Sequence, residues 1–348
     1  MINCGGPPEG GYIGGKYWKD PGALNNGFQG FCGVLVMVTF AFGGTELVGL
    51  AAAETANPRK SLPAAAKQVF WRISLFYFLT LALIGLTVPH NDERLSTGSS
   101  SVDARASPFV IAIEMAGING LPSVMNGVIL VAVLAVGNSS VYASTRSLAA
   151  LANLRHAPRF LGIVDRKGRP MVAIGIALLF GLLAFIADLP EQGQILDWLL
   201  AISGISTLVT WGSICFCHIR FRKAWAAQGR TISQLPTRSR VGVVGSYIGF
   251  GLNITIMAAQ LWTTIDPVNA NDKSSAEITR DAFLRWLGAP ILIVSFALHK
   301  IYYGTSWVRV RSMDVDTGRR RFNYYDEACE QENEQNWARW KKIYKFLC

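Results

Sequence analysis

The chain has 348 residues and a mass of 38.0 kDa; 51% of it is hydrophobic, only 16% is charged, 34 residues are glycine, and the mean hydropathy is +0.28. Soluble domains carry about 25% charged residues, so the composition excludes an ordinary globular protein, and the apolar content excludes a disordered one. The formal net charge of +10 would point to nucleic acid only if basic residues and stacking aromatics shared one soluble face, and they do not.

Residues 1–27 read as an extracellular loop. The stretch GGPPEGGYIGGKYWKDPG is rich in Gly and Pro and has neither a basic n-region nor an apolar h-region, so it is not a signal peptide. Seven apolar segments follow, near 28–53, 69–89, 121–148, 170–189, 195–219, 241–265 and 286–303. A helix needs about 20 apolar residues to cross a bilayer, with ~17–25 tolerated, so each segment qualifies as a span. The last is the weakest, because His299 and Lys300 must snorkel to the headgroups. The predicted fold class is therefore all-α integral membrane, with a transmembrane domain at 28–304 and a tail at 305–348.

Charge placement sets the orientation. The connections and span ends after the first, third and fifth spans, together with the tail and Lys300, hold 26 of the 33 Lys and Arg. They include Arg59, Lys60 and Lys67, then Arg155, Arg159 and Lys167, then Arg222, Lys223 and Arg230, and finally Arg309, Arg311 and Arg319 to Arg321. The alternate connections and span ends hold 13 of the 23 acids. Basic residues accumulate on cytoplasmic loops, which puts the N-terminus outside and the tail in the cytoplasm.

The first span, FCGVLVMVTFAFGGTELVGLAAAE, carries Gly43-Gly44 at its centre, then Thr45 and Glu46. Glycine costs ~1 kcal/mol against alanine in a helix, and a carboxylate at mid-membrane costs at least ~2.5 kcal/mol. Irregular backbone is tolerated at that depth only where protein buries it or it lines a wet cavity. Two readings stand. One is a discontinuous helix that offers backbone groups to a polar substrate. The other is a close helix crossing through small residues, with Glu46 bonded to a neighbour.

Further along, VGNSSVYAS at 136–144 places Asn138, Ser139 and Ser140 in an apolar helix, either facing a site or joining helices. The sequons at Asn138 and Asn253 lie inside spans, where they are not glycosylated. The four histidines are dispersed, and Cys215 and Cys217 sit two apart on one helix and point away from each other. No metal site or catalytic pair is predicted, hence no enzyme. The tail ends NWARWKKIYKFLC, with Trp337, Trp340, Tyr344 and Leu347 on one helical face and Arg339, Lys341, Lys342 and Lys345 on others. Such a helix suits an anionic membrane surface or docking on the protein's own cytoplasmic side.

The stretch FGGTELVGLAAAETANPRKSLPAAAKQVFWRI at 42–73 resembles the sixth transmembrane segment and following loop of fungal amino-acid permeases, the yeast amino-acid transporter family of the amino acid–polyamine–organocation superfamily. The resemblance continues through ASPFVIAIEMAGINGLPSVMNGVILVAVLAVGNSSVYASTRSLAALA (106–152), WLLAISGISTLVTWGSICFCHIRFR (198–222) and VDTGRR (315–320). It is collinear and nearest to the general amino-acid permeases. It implies a proton-coupled importer of amino acids in the plasma membrane, built on twelve helices in a 5+5 inverted repeat, with no cofactor beyond protons. The seven spans would be helices 6–12, and the first five, with the other broken helix, would be missing from this chain.

By the same resemblance, the backbone of Ala41, Gly43, Gly44 and Thr45 would hold the substrate's amino and carboxyl groups. Phe42 would close over the substrate or serve as a core ring, and Glu46 would attract the ammonium group or carry the coupling proton. Ser203, beside Gly204, matches a selectivity position. Cys348 matches an acylated terminal cysteine, and an export chaperone of the endoplasmic reticulum is an implied partner. Two other classes fit less well. A seven-helix receptor would share the topology but lacks Asp-Arg-Tyr and Asn-Pro-x-x-Tyr at the right helix ends, and a membrane enzyme would need a nucleophile–base pair.

Overall fold

A computed structural model describes residues 12–22, 26–52, 58–92, 107–118, 120–183, 192–232, 241–267 and 274–317, with the single residues 55, 95, 185 and 235. The predicted tail helix and Cys348 lie outside the described residues. After a short π-helical turn (Trp18–Gly22) the helices are α1 (Gly27–Ala41), α2 (Leu47–Ala52), α3 (Pro58–Thr87), α4 (Pro108–Met115) and α5 (Leu121–Asn153). They continue with α6 (Met171–Gly181), α7 (Gln192–Ala227), α8 (Gly242–Ile265), α9 (Ser275–Trp286) and α10 (Gly288–Tyr303). No strand occurs among the described residues.

Local chemistry sets the helix ends. Pro108, within the first turn of α4, and Pro122, within that of α5, occupy positions where the missing N–H has no intrahelical acceptor to lose. Gly304, at φ 57°, closes α10 in the left-handed conformation that glycine adopts without a Cβ penalty. Inside the apolar helices the hydroxyls bond back to their own turn. Thr39 donates to the Leu35 carbonyl (2.9 Å), Thr145 to Val141 (2.8 Å), Thr210 to Ser206 (2.7 Å) and Thr264 to Gln260 (2.6 Å). Polar groups satisfied within one helix are what a hydrocarbon solvent demands.

Among the described residues, four helices are long and apolar enough to cross a membrane: Ser61–Thr87, Leu121–Asn153, Ile202–Ala227 and Gly242–Ile265. The pair α9–α10, bent by 45°, makes a fifth if it is taken as one span. Three of the seven expected spans differ. The segment near 28–53 is divided between α1 and α2, of 15 and 6 residues, and neither is long enough to cross by itself. Among the described residues near 170–189, the α-helix α6 covers 11 residues and gives way to 3-10 turns at Leu182 and Leu183; at 1.5 Å per residue α6 is about 17 Å long. The segment near 195–219 belongs to a 36-residue helix, which continues past the expected end because Phe221, Ala224 and Trp225 give it a further face to pack. The apolar side chains of α3, α5 and α8 point outward: Phe76, Phe78, Leu130, Leu134, Ile248 and Leu252 are all exposed on this chain. So much outward apolar surface is the pattern of helices solvated by lipid or by further helices, not by water.

Helix α7 is the hub, packed by α1, α8, α9 and α10. It runs antiparallel to α8: Phe216 meets Phe250 (5.9 Å between rings) and His218 bonds Ser246 (2.6 Å) near one end. At the other end of α8, Trp262 lies 6.1 Å from Phe28, and the Asp266 carbonyl accepts from Gln29, so α1 starts where α8 finishes. The C-terminal ends of α5 and α10 meet at His156 and His299 (5.7 Å).

The chain after α10 folds back onto the C-terminal end of α7. Arg220 donates to the Val308 carbonyl and stacks on Trp307 (4.6 Å), Gln228 donates to the Met313 carbonyl (2.8 Å), and Arg230 pairs with Asp316. Asp314 sits in the same loop. The Thr317 hydroxyl and the amides of Thr317 and Asp316 hold its carboxyl down to about 2, below the usual carboxylate range.

Candidate functional site

Helix α1 stops at Ala41 and the chain turns through Phe42–Glu46 before α2 resumes at Leu47. The helical ladder tightens there to i→i−3 bonds: the amides of Phe42, Leu47 and Gly49 donate to the carbonyls of Thr39 (3.1 Å), Gly44 (3.1 Å) and Glu46 (2.9 Å). Gly44 takes φ +93°, a conformation that L side chains rarely adopt. A Cβ there would meet only the Leu47 side chain, at an ordinary 3.8 Å. Glycine is therefore required by the backbone and not by crowding.

Glu46 folds back over this turn. Its Oε2 accepts from the Gly44 amide at 3.1 Å and from the Trp211 indole N–H of α7, also at 3.1 Å. One carboxylate oxygen thus joins the break to the hub helix. Next to Trp211, Gly212 brings α7 close to α8, where an added Cβ would lie 3.9 Å from the Asn253 Cβ. Asn253 is halfway along α8, a helix of 24 residues and so about 36 Å long. The Glu46–Trp211 contact therefore lies level with the middle of a membrane-length helix, where a carboxylate is most expensive to leave unpaired.

The other residues marked in the sequence scatter around this centre. Ala41 is the last residue of α1, and Thr45 lies within the turn, where its carbonyl accepts from Val48 (3.4 Å). Phe42 stacks on Tyr77 of α3, with ring centroids 5.1 Å apart. Ser203 stands on α7 two turns before Trp211, about 12 Å along the axis, and its carbonyl accepts from Thr207 (2.9 Å). Ser139 and Ser140 donate to Ala135 and Val136 of their own helix (both 2.9 Å). Among the described residues no three His, Cys, Asp or Glu converge on a metal-sized site.

Trp211 and Tyr77 are the residues that sequence reasoning missed. For Trp211 a signal existed. Tryptophan in membrane proteins favours the interfaces, and this one stands deep in a span.

Outward-facing apolar helices, internally satisfied hydroxyls and one interrupted helix with a mid-depth carboxylate define an integral membrane protein of several crossings. The Amino acid permease family matches residues 1–311. The chain is similar to the general amino-acid permease of Saccharomyces cerevisiae, at 51% identity over the whole chain and 59% of that protein. A second general amino-acid permease, from Candida albicans, shows 53% identity over 93% of the chain and 54% of its own length. The histidine permease of S. cerevisiae is 46% identical over 92% and 54%. The chain belongs to the amino acid permease family. It spans between half and three-fifths of the length of these relatives. No solved structure matches it.

Proposed function

We propose that this chain is the C-terminal portion of a proton-coupled amino-acid importer of the plasma membrane, and that the break at Phe42–Glu46 is its half of the substrate site. One observation carries this reading: a glycine-dependent interruption level with the middle of α8, with a carboxylate tied to both the break and the neighbouring helix. Discontinuous helices at that depth are where transporters bind substrate and coupling ion. In this reading the backbone of Ala41, Gly43, Gly44 and Thr45 faces the amino acid's charged groups, and Phe42 closes against it. Glu46 attracts the ammonium group or carries the proton, and Ser203, two turns away, tunes side-chain selectivity. Chemistry of this kind makes and breaks no covalent bond.

The seven spans are helices 6–12 of a 5+5 inverted repeat, with residues 1–27 outside and 305–348 in the cytoplasm. Support comes from the placement of the Lys and Arg residues. It comes also from the packing, since the C-terminal ends of α5 and α10 meet and the basic end of α7 holds residues 307–316. Cys348 is a lipidation site, and an endoplasmic-reticulum chaperone assists export.

Orientation is tested by single cysteines on a cysteine-free background. Lys19→Cys reacts with an impermeant maleimide in intact cells, whereas Arg311→Cys reacts only after permeabilisation. The reverse pattern would contradict the orientation. Transport itself is tested by uptake of radiolabelled amino acids in permease-deficient yeast carrying a chimaera. The chimaera places residues 1–348 behind the N-terminal portion of the S. cerevisiae general permease.

A further inference from the structure

We propose that Trp211 is a positioning residue of this permease, whose indole N–H holds the Glu46 carboxylate across the break and so ties the substrate half-site to α7. The inference rests on the reading of Glu46 given above and adds a residue that no motif assigns.

An indole N–H only donates and an ionised carboxylate only accepts, so the direction of the bond is fixed without choosing a tautomer or an amide orientation. The same oxygen receives the Gly44 amide and the Trp211 indole, each at 3.1 Å. A side chain free to rotate about its own bonds is thereby pinned at two points on two different elements, 165 residues apart in the case of the indole. The pinning is possible because both partners are themselves held. Gly44 lies in a turn closed by i→i−3 bonds. Trp211 is half-buried, and the neighbouring Gly212 seats α7 closely against Asn253 of α8. Bonds from a fixed donor to a charged acceptor are the stronger class of hydrogen bond. Loss of the indole N–H leaves the carboxylate tethered to the local turn alone and uncouples it from α7.

Two measurements test this. In the first, the 348-residue chain with 15N-labelled tryptophan is placed in lipid nanodiscs, and its ten indole N–H signals are recorded. One signal shifts in Glu46→Gln, and the same signal is missing from Trp211→Phe. If the signal missing from Trp211→Phe is unmoved by Glu46→Gln, the proposal is overturned, whatever the protein transports.

The second measurement uses the chimaera, with surface amounts measured alongside. Trp211→Phe keeps the ring and removes the donor, and Vmax/KM falls about tenfold, as expected for a hydrogen bond to a charged group. In the Glu46→Gln background the same change costs less, because the bond it removes is then to a neutral amide oxygen. Full additivity of the two losses would overturn the proposal. Normal transport in Trp211→Phe would do so as well. A Glu46→Gln chimaera that transports normally would instead remove the functional reading of Glu46, while the indole signals would still report the contact.

Discussion

Glu46→Gln in the chimaera cuts amino-acid uptake by about tenfold or more, with the protein still delivered to the cell surface. Glutamine keeps the length of the side chain and an oxygen able to accept from Gly44 and Trp211, so the turn retains its cap. What it loses is the negative charge and the ability to take up a proton. A hydrogen bond to a charged group contributes about 1.5–3 kcal/mol against about 1 for a neutral one. Even before any role in proton movement, the exchange therefore weakens the two contacts that Oε2 makes. Thr45→Ala is the control: it removes one hydroxyl from the same turn and no charge, and its effect is milder. Uptake, external pH dependence and surface amount are measured together. Wild-type uptake with a wild-type pH dependence in Glu46→Gln would return the carboxylate to a packing role.

The second large effect is expected at Gly44. With φ at +93°, any residue bearing a Cβ is strained, at a cost of roughly 1–3 kcal/mol. The space around it is open, with Leu47 Cδ1 at 3.8 Å as the near neighbour, so crowding adds nothing. Gly44→Ala therefore shifts the break towards a continuous helix, which alanine favours by ~1 kcal/mol over glycine. A continuous helix turns the Gly44 amide away from Glu46 and closes the half-site. The expected result is loss of most uptake at normal surface amounts. Gly44→Asn is less damaging, because asparagine tolerates positive φ better than other side chains. If alanine and asparagine act alike, or if neither affects transport, the positive φ has no part in function.

The interrupted helix was legible in the sequence because its cause is local. Two adjacent glycines followed by a carboxylate contradict an otherwise apolar run, and the structure places the helix break at the same residues. The partner of Glu46 was not legible, since Trp211 is 165 residues away and hydropathy periodicity carries no information about which helices touch. Helix lengths failed in both directions for the same reason. Apolar runs mark where lipid is tolerated, whereas α7 continues past its run because Trp225 is buried with its indole donating to the Thr231 carbonyl (2.9 Å). The segment near 170–189 is as apolar as its neighbours, yet its α-helix ends at Gly181 and tightens to 3-10 turns at Leu182 and Leu183. Ser139 and Ser140 illustrate another limit: a hydroxyl in an apolar helix signals a polar need, and here each meets that need in its own turn.

The central claim is that residues 1–348 supply one half of an amino-acid carrier, complete only when the other half is present. An inverted-repeat carrier needs both repeats to enclose a midplane site and to expose it alternately to each side. Saturable uptake of radiolabelled amino acids in permease-deficient yeast tests this most directly, with surface amounts of both proteins matched. The expected result is no saturable uptake by residues 1–348 alone, and saturable uptake, increasing as the medium is acidified, by the chimaera with the N-terminal portion of the S. cerevisiae general permease. Saturable uptake by residues 1–348 alone, or a chimaera that reaches the surface and transports nothing, would contradict it.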